Sequence, residues 1–268
     1  MAEEITHGSL FAGIGGFDLG FERAGIKTIW QVEIDDYCRR VLAKHWPSVE
    51  RFSDVRGVGK DVLAPVDIVS GGFPCQDLSN AGKRAGIDGE RSGLWSEMHR
   101  VICELRPRYV VVENVAAMLV RGMGRVLGDL AEIGYDAEWD CFRASDFGAP
   151  HERERVFLIA YPHSNGLEED AHETILCHAK PDGTANGHLG AVGSANEWAT
   201  ARPLGARPMG MGNGIPADVD RLRCLGNSVI PQVAEWIGRR IDLHAHRCGQ
   251  TARKGILSAR ELRQASVF

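Results

Sequence analysis

Cys75 follows the run Val66-Asp67-Ile68-Val69-Ser70-Gly71-Gly72-Phe73-Pro74, an apolar strand pattern that ends in a glycine and proline turn. Pro74 fixes its own φ and pushes Phe73 into an extended conformation, so the thiol is presented from a stiff turn. That turn lies at the C-terminal edge of a predicted sheet, where α/β folds keep their chemistry. A thiol held there reads as a nucleophile for covalent catalysis. The alternative is a small buried hydrophobe. Glu113 and Asn114 end a second apolar strand pattern, Tyr109 to Val112, which predicts a carboxylate on the same side of the sheet. The competing account of Glu113 is an acid favoured by the dipole at a helix N-terminus. Arg153 and Arg155 alternate with glutamates just before the apolar run Val156 to Ala160, and strand alternation would aim both guanidinium groups at one side. A solvated strand face with ion pairs is the plainer reading.

These groups need a sheet to hold them. Residues 5–11 read as a short strand that ends in the glycine turn Gly13, Gly15 and Gly16, after which Phe17, Phe21 and Ala24 recur at helical spacing until Gly25. The next strand, Thr28 to Val32, ends at Glu33, about 20 residues after Gly13, where nucleotide-binding folds place a ribose-binding acid. The turn lacks the third glycine of a dinucleotide fingerprint and no P-loop lysine follows, which disfavours a nicotinamide oxidoreductase and phosphorylated ligands. S-adenosylmethionine, an adenosine without phosphate, fits better. A helix from about Asp36 to Trp46 is expected to turn Tyr37 and Val41 to one face, with Pro47 ending it and Asp54 in a short strand-like segment beyond. Residues 80–93 hold four glycines and read as a loop able to move. Leu94, Met98, Val101, Ile102 and Leu105 mark a helix with a core-facing stripe, residues 124–133 mark another that stops at Gly134, and strands follow near 136–142 and 155–161.

At 268 residues the chain suits one large α/β domain with a small appendage. No stretch approaches the roughly 20 apolar residues of a membrane span, and the N-terminus has no basic region followed by an apolar one. The chain reads as a soluble, cytoplasmic protein. Its seven cysteines are odd in number and scattered without CxxC pairing, so neither a disulfide framework nor a structural zinc is indicated and the thiols read as reduced. A formal charge of −5 argues against coating nucleic acid through a broad basic field. Local excess at Lys83, Arg84 and Arg91, at Arg153 and Arg155, and among Arg202, Arg207, Arg221 and Arg223 is compatible with a cleft that has a basic lining. No coiled-coil heptads are present, which reads as a monomer.

From Pro162 to about Pro216 no period is sustained. Histidines 163, 172, 178 and 188 with Cys177 match no common metal site there, and no metal is expected. Order returns at Arg221 to Ser228, and Pro231 opens a helix with Val233, Trp236, Ile237 and Ile241 on one face, expected to pack against the first helix. Residues 249–268 form a polar, basic tail.

Phe73-Pro74-Cys75-Gln76 followed by Ser79 and Gly82 resembles the catalytic motif of the cytosine-C5 DNA methyltransferases of bacterial or phage type. The likeness continues through Phe11-Ala12-Gly13-Ile14-Gly15-Gly16-Phe17, Glu33, Glu113-Asn114-Val115, Arg153-Glu154-Arg155 and Gly226-Asn227-Ser228-Val229. These segments come in the family's order and cover residues 8–161 and 221 to about 241. His151 departs from it, standing where the family commonly has glutamine. The resemblance implies an α/β fold, a doubly wound, Rossmann-like methyltransferase sheet built from residues 1–161 plus 217–248. A small irregular inserted domain, 162–216, would be the target-recognition region.

The implied reaction moves a methyl group from S-adenosylmethionine to C5 of cytosine in a short sequence of double-stranded DNA, through base flipping and a covalent bond between Cys75 and C6. A cognate restriction endonuclease is the implied candidate partner. Cys75 would attack, Glu113 would bond or protonate N3, Arg155 would hold O2, Asn114 would brace the cysteine loop, and Arg153 would count with them among the catalytic residues. The cofactor would be held by Phe11, Gly13, Gly15, Gly16, Glu33, Asp54, Pro74, Leu94, Asn227 and Val229, and DNA by Gln76, Ser79, Lys83 and Arg84. An RNA cytosine methyltransferase of the same fold is one alternative, although Phe73 and the Gln76 to Gly82 loop look more like the DNA branch. A catalytically silent cofactor- or partner-binding module is another, disfavoured by Cys75, Glu113 and Arg155 standing together.

Overall fold

The computed structural model of the protein describes residues 4–74, 93–163, 174–176 and 224–246. Strand β1 (Thr6–Leu10) leads through the glycine turn to α1 (Gly16–Arg23), and β2 (Lys27–Val32) leads to α2 (Asp36–His45) and the short β3 (Glu50–Phe52). Strand β4 (Ile68–Gly71) is followed by α3 (Gly93–Leu105) and β5 (Tyr109–Val115). Two helices, α4 (Met118–Arg121) and α5 (Met123–Glu132), precede β6 (Tyr135–Arg143) and β7 (Glu154–Pro162). A last helix, α6, spans 231–246. The short α4 was not among the expected elements; the others match the sequence pattern to within a few residues.

The seven strands form one sheet in the order β3-β2-β1-β4-β5-β7-β6. Strands β3 to β5 run parallel, while β7 lies antiparallel between β5 and β6. The chain moves outward from β1 to β2 and β3, then returns to place β4 on the other side of β1. That reversal leaves a crevice outside the carboxyl ends of β1 and β4, the place where doubly wound folds bind ligands. Because β7 runs backwards, its first residues arrive at the same edge, with Arg155 opposite Val115.

Helices cover both faces, so the central strands read as continuous apolar runs. Alternation divides β5 between two cores. Val110 and Val112 join Met98 and Ile102 of α3 and Val126 and Leu130 of α5. Tyr109 and Val111 join Phe17 and Phe21 of α1 and Trp236, Ile237 and Ile241 of α6. Helices α1 and α6 meet closely, as the sequence pattern predicts: a Cβ on Gly20 would fall 2.4 Å from the Pro231 carbonyl oxygen. In α2 the expected face is off by one residue. Cys38 and Leu42 are buried, and Tyr37 and Val41 are only half-buried.

The sheet interior also holds an imidazole. His7 on β1 is fully buried, with Nδ1 3.0 Å from Thr28 Oγ1 on β2 and Nε2 2.7 Å from Ser70 Oγ on β4. Burial pushes its pKa down to about 3, so the ring is neutral in the fold and takes up a proton on unfolding. The stabilisation tied to this depressed value is complete above the unfolded pKa and is lost as pH falls below it. The expected result is a stability that drops by up to about 1.4 kcal/mol per pH unit between roughly pH 6.5 and pH 3 from this residue. Urea unfolding at pH 7 and pH 5 checks it, and His7→Gln should flatten the slope.

Candidate active site

Two clusters flank the crevice. The first is the turn after β1. Phe11 has φ of 52° and Gly15 has φ of 88°, the former an uncommon conformation for a bulky side chain and a sign of backbone held under constraint. Gly15 caps α1 without a side-chain bond, which leaves the first N–H groups of α1 free of any capping side chain. The Glu33 carboxylate clasps this turn: Oε2 accepts the Gly13 N–H and Oε1 accepts the Asp35 N–H, each at 2.7 Å. Arg39 steadies the same segment, donating from Nη1 to the carbonyls of Glu33 at 2.9 Å and Ile34 at 2.6 Å. Val229 closes the turn from the other side, since a Cβ on Gly16 would meet its carbonyl oxygen at 2.4 Å.

Phe11, Gly13, Gly15, Gly16, Glu33 and Val229 therefore meet at one turn. Asp54 follows β3 and caps the helical turn Val55–Gly57 by accepting the Arg56 N–H at 3.0 Å. Leu94 is half-buried against the core in the first turn of α3, and Asn227 is exposed at the end of the helical turn 224–227. Arg39 was not anticipated, because its contacts depend on how α2 folds back on the Glu33 segment.

The second cluster lies at the ends of β4, β5 and β7. After β4, Phe73 is buried with its ring 5.5 Å from that of Trp95, and Pro74 is exposed. The proposed nucleophile Cys75 comes next, and it lies outside the described residues together with Gln76, Ser79, Lys83 and Arg84. Asn114 donates from Nδ2 to the Phe73 carbonyl at 3.3 Å and accepts the Val115 N–H at 2.8 Å. Glu113 is buried, on the same sheet face as Val115 and its cross-strand partner Arg155. Such diagonal neighbours are within reach of long side chains. Arg155 Nε stands 3.1 Å from Glu113 Oε1 without aiming its N–H there, so Oε1 is paired by charge but accepts no hydrogen bond among the described residues. Gly72 gives the carboxylate room: a Cβ there would lie 2.9 Å from Oε2.

Burial raises the Glu113 pKa above the ordinary carboxylate range, and the charges of Arg155 and then Arg153 oppose the shift. The two arginines separate in role. Arg155 faces Glu113, whereas Arg153 donates from Nη2 to the Ser228 carbonyl at 3.0 Å and from Nη1 to that of Gly226. Burial, then the charge of Arg155, lowers the Arg153 pKa. Arg153 thus ties the strand beside Glu113 to the segment that closes the glycine turn.

The family model for the C-5 cytosine-specific DNA methylase domain matches residues 5–197. The Type II methyltransferase M2.BsuMI of Bacillus subtilis (strain 168) is 38% identical over 184 residues, covering 65% of this chain and 46% of that protein. The Type II methyltransferase M.AquIA of Picosynechococcus sp. is 35% identical over 172 residues, 56% of this chain and 69% of that one. Among solved structures, a putative DNA modification methyltransferase encoded within an E. coli prophage aligns with a TM-score of 0.51 at 27% identity, over 59% of this chain and 47% of its own. The Entamoeba histolytica methyltransferase EhMeth aligns with a TM-score of 0.60 over 89% of this chain and 98% of its own, at 16% identity, a likeness of fold alone. The chain spans less than half the length of M2.BsuMI and of M1.ScrFI from Lactococcus lactis subsp. cremoris, at 46% and 40%.

Proposed function

The chain belongs to the C-5 cytosine-specific DNA methylase family, and on that premise we propose that it transfers a methyl group from S-adenosylmethionine to C5 of cytosine in double-stranded DNA. The observation that carries the reading is the buried Glu113 carboxylate, paired by charge with Arg155 yet with Oε1 accepting no hydrogen bond among the described residues, at the sheet edge where Pro74 leads into Cys75. A buried carboxyl oxygen left open in this way suits a ligand with a polar edge of its own, such as the N3 and amino edge of cytosine.

The adenosine end of S-adenosylmethionine belongs at the glycine turn. Glu33 uses one lone pair of each oxygen on the backbone and keeps others for ribose hydroxyls, and the uncapped α1 N–H groups offer further donors. When bound, the cofactor supplies an electrophilic methyl group. C5 of cytosine is a poor nucleophile, and addition of the Cys75 thiolate to C6 makes it electron-rich; once C5 carries the methyl group, loss of the C5 proton and elimination of the thiolate from C6 restore the ring and free Cys75. Glu113 gives its proton or a hydrogen bond to N3, and Arg155 balances the charge that builds on O2. Asn114 holds Phe73 and so the backbone leading to the thiol. Arg153 acts through the 226–228 backbone rather than on the base. The base leaves the duplex before C6 is reached. Gln76, Ser79, Lys83 and Arg84 take the DNA backbone near the displaced base, residues 162–216 read the flanking bases, and a cognate restriction endonuclease is the proposed biological partner.

Labelled S-adenosylmethionine incubated with the full chain and matched DNA duplex and RNA tests this. Label recovered as 5-methylcytosine in DNA is the expected result. Label confined to RNA overturns the substrate, and cofactor binding without transfer to either overturns the enzyme. On the same reading, Glu33→Ala should weaken S-adenosylmethionine binding by at least about 1.5–3 kcal/mol, because charge-assisted bonds to ribose and to the turn disappear together. Calorimetric titration measures it. If cofactor affinity held while DNA binding collapsed, the cofactor would have to lie elsewhere.

A further inference from the structure

Cys38 sits in the first turn of α2, where its N–H is accepted by the Asp35 carboxylate at 3.0 Å. Cys224 opens the helical turn 224–227. They are 186 residues apart in sequence, yet their sulfurs lie 3.1 Å apart and both side chains are buried. Neither is bonded to another cysteine. We propose that Cys38 and Cys224 form a reversible redox pair that closes to a disulfide under peroxide and staples the 224–246 segment to α2.

Geometry favours this over a metal. The Asp35, Cys38 and Cys224 ligand atoms all lie within 4.8 Å of one another. Two thiolates on one tetrahedral zinc ion, each at about 2.3 Å, would however stand roughly 3.8 Å apart, wider than the 3.1 Å seen. The Asp35 Oδ1 is also engaged as the α2 cap. Closing the sulfurs to a disulfide asks for a movement of only about 1 Å.

The chemistry balances with hydrogen peroxide as the oxidant. One thiolate attacks the peroxide, its O–O bond breaks, and a sulfenic acid forms with release of water once the protons are counted. The second thiol then attacks that sulfur, a second water leaves, and the S–S bond forms; two thiols and one peroxide give one disulfide and two waters. Burial, the Cys224 contact and the negative charges of Glu33 and Asp35 hold the Cys38 thiol well above its usual pKa. In the closed fold it is therefore a poor nucleophile. Oxidation then passes through opening of the 224–230 segment, and the link forms as the segment closes again. The contacts made by that segment set the consequence. Val229 closes over Gly16, and the carbonyls of Gly226 and Ser228 accept from Arg153, so the staple would fix one wall of the glycine turn.

The full chain is exposed to hydrogen peroxide, alkylated with N-ethylmaleimide in denaturant, digested and read by mass spectrometry. The expected product is a linked pair of peptides carrying Cys38 and Cys224, lost after dithiothreitol and absent from Cys224→Ser. The half-exposed Cys103 and Cys141 serve as internal controls for oxidant access. Recovery of Cys38 and Cys224 as separately alkylated or over-oxidised residues, under conditions that oxidise those controls, overturns the proposal. Linkage of either one to a different cysteine does so too, as does zinc released by a mercurial from untreated protein. The readout is a covalent mass, so its failure leaves the reading as a methyltransferase untouched.

Discussion

Cys75→Ser is expected to abolish methyl transfer while S-adenosylmethionine affinity stays near that of the unaltered chain. Oxygen replaces sulfur with little change of volume, but a serine hydroxyl is hardly ionised at neutral pH and has no general base assigned to it, whereas a thiol ionises far more readily to the reactive thiolate. Losing the proposed nucleophile removes the step that activates C5. The fall in turnover should be on the order of 10⁴–10⁶. The strand end that leads into position 75 should survive, because Phe73 is fixed independently by burial against Trp95 and by Asn114. The proposed cofactor cluster at Gly13 and Glu33 follows β1 and β2 instead of β4. Label transfer and calorimetric titration of the same preparation measure the two halves. Turnover kept within an order of magnitude would falsify the nucleophile assignment.

The parallel part of the sheet was legible because its strands are buried on both faces. Runs such as Tyr109 to Val112 have no polar interruption, and only a covered strand can carry them. The turn after β1 was legible for a related reason: strand, glycines, helical spacing and an acid about 20 residues on form a local pattern with a local cause. Long-range pairing left no such trace. Alternation puts Arg153 and Arg155 on one side of a strand, but it does not say that β7 runs backwards between β5 and β6 and so brings Arg155 across from Val115. Nor does it foretell that Arg153 spends its guanidinium on the carbonyls of Gly226 and Ser228. The approach of Cys38 and Cys224 is likewise a product of folding, invisible in scattered spacing. In α2 the polar surroundings of Cys38 hid the buried stripe it shares with Leu42.

The region after β7 shows the limit most clearly. Residues 162–216 read as irregular, and most lie outside the described residues. Ile175 and Leu176 are nevertheless buried in the α1 and α6 core. Their N–H groups donate to the two oxygens of Glu138, at 2.7 and 2.8 Å, and Arg240 Nη1 donates to the Ile175 carbonyl at 3.0 Å. An apolar pair in a polar stretch acts as an anchor only when a carboxylate and a guanidinium satisfy its backbone, and both come from distant elements.

Glu113→Gln should lower turnover by about 10²–10⁴, the usual worth of a positioned general acid, and it should also change the shape of the pH profile. Burial holds the Glu113 pKa above the ordinary range against the pull of Arg155, so its proton is retained to a higher pH than that of an exposed glutamate. Activity that needs this proton is full below the raised value and declines as pH climbs through it, while ionisation of Cys75 favours the opposite direction. A bell results in the unaltered protein. Glutamine cannot ionise and loses the falling limb, leaving a lower profile that only rises with the thiolate. The same raised pKa means that the ionised carboxylate is disfavoured by the fold, so stability tied to the protonated form is present below the unfolded value and is lost as pH rises through the folded one. At neutral pH and above, the amide should therefore fold at least as well as the native residue. Arg155 still donates from Nη1 to the Glu154 carbonyl at 2.7 Å, so its charge is not stranded. Single-turnover rates from pH 5 to 9 decide the matter: a bell of unchanged width in Glu113→Gln would assign the falling limb to another group and take the proton-donor role away from this one.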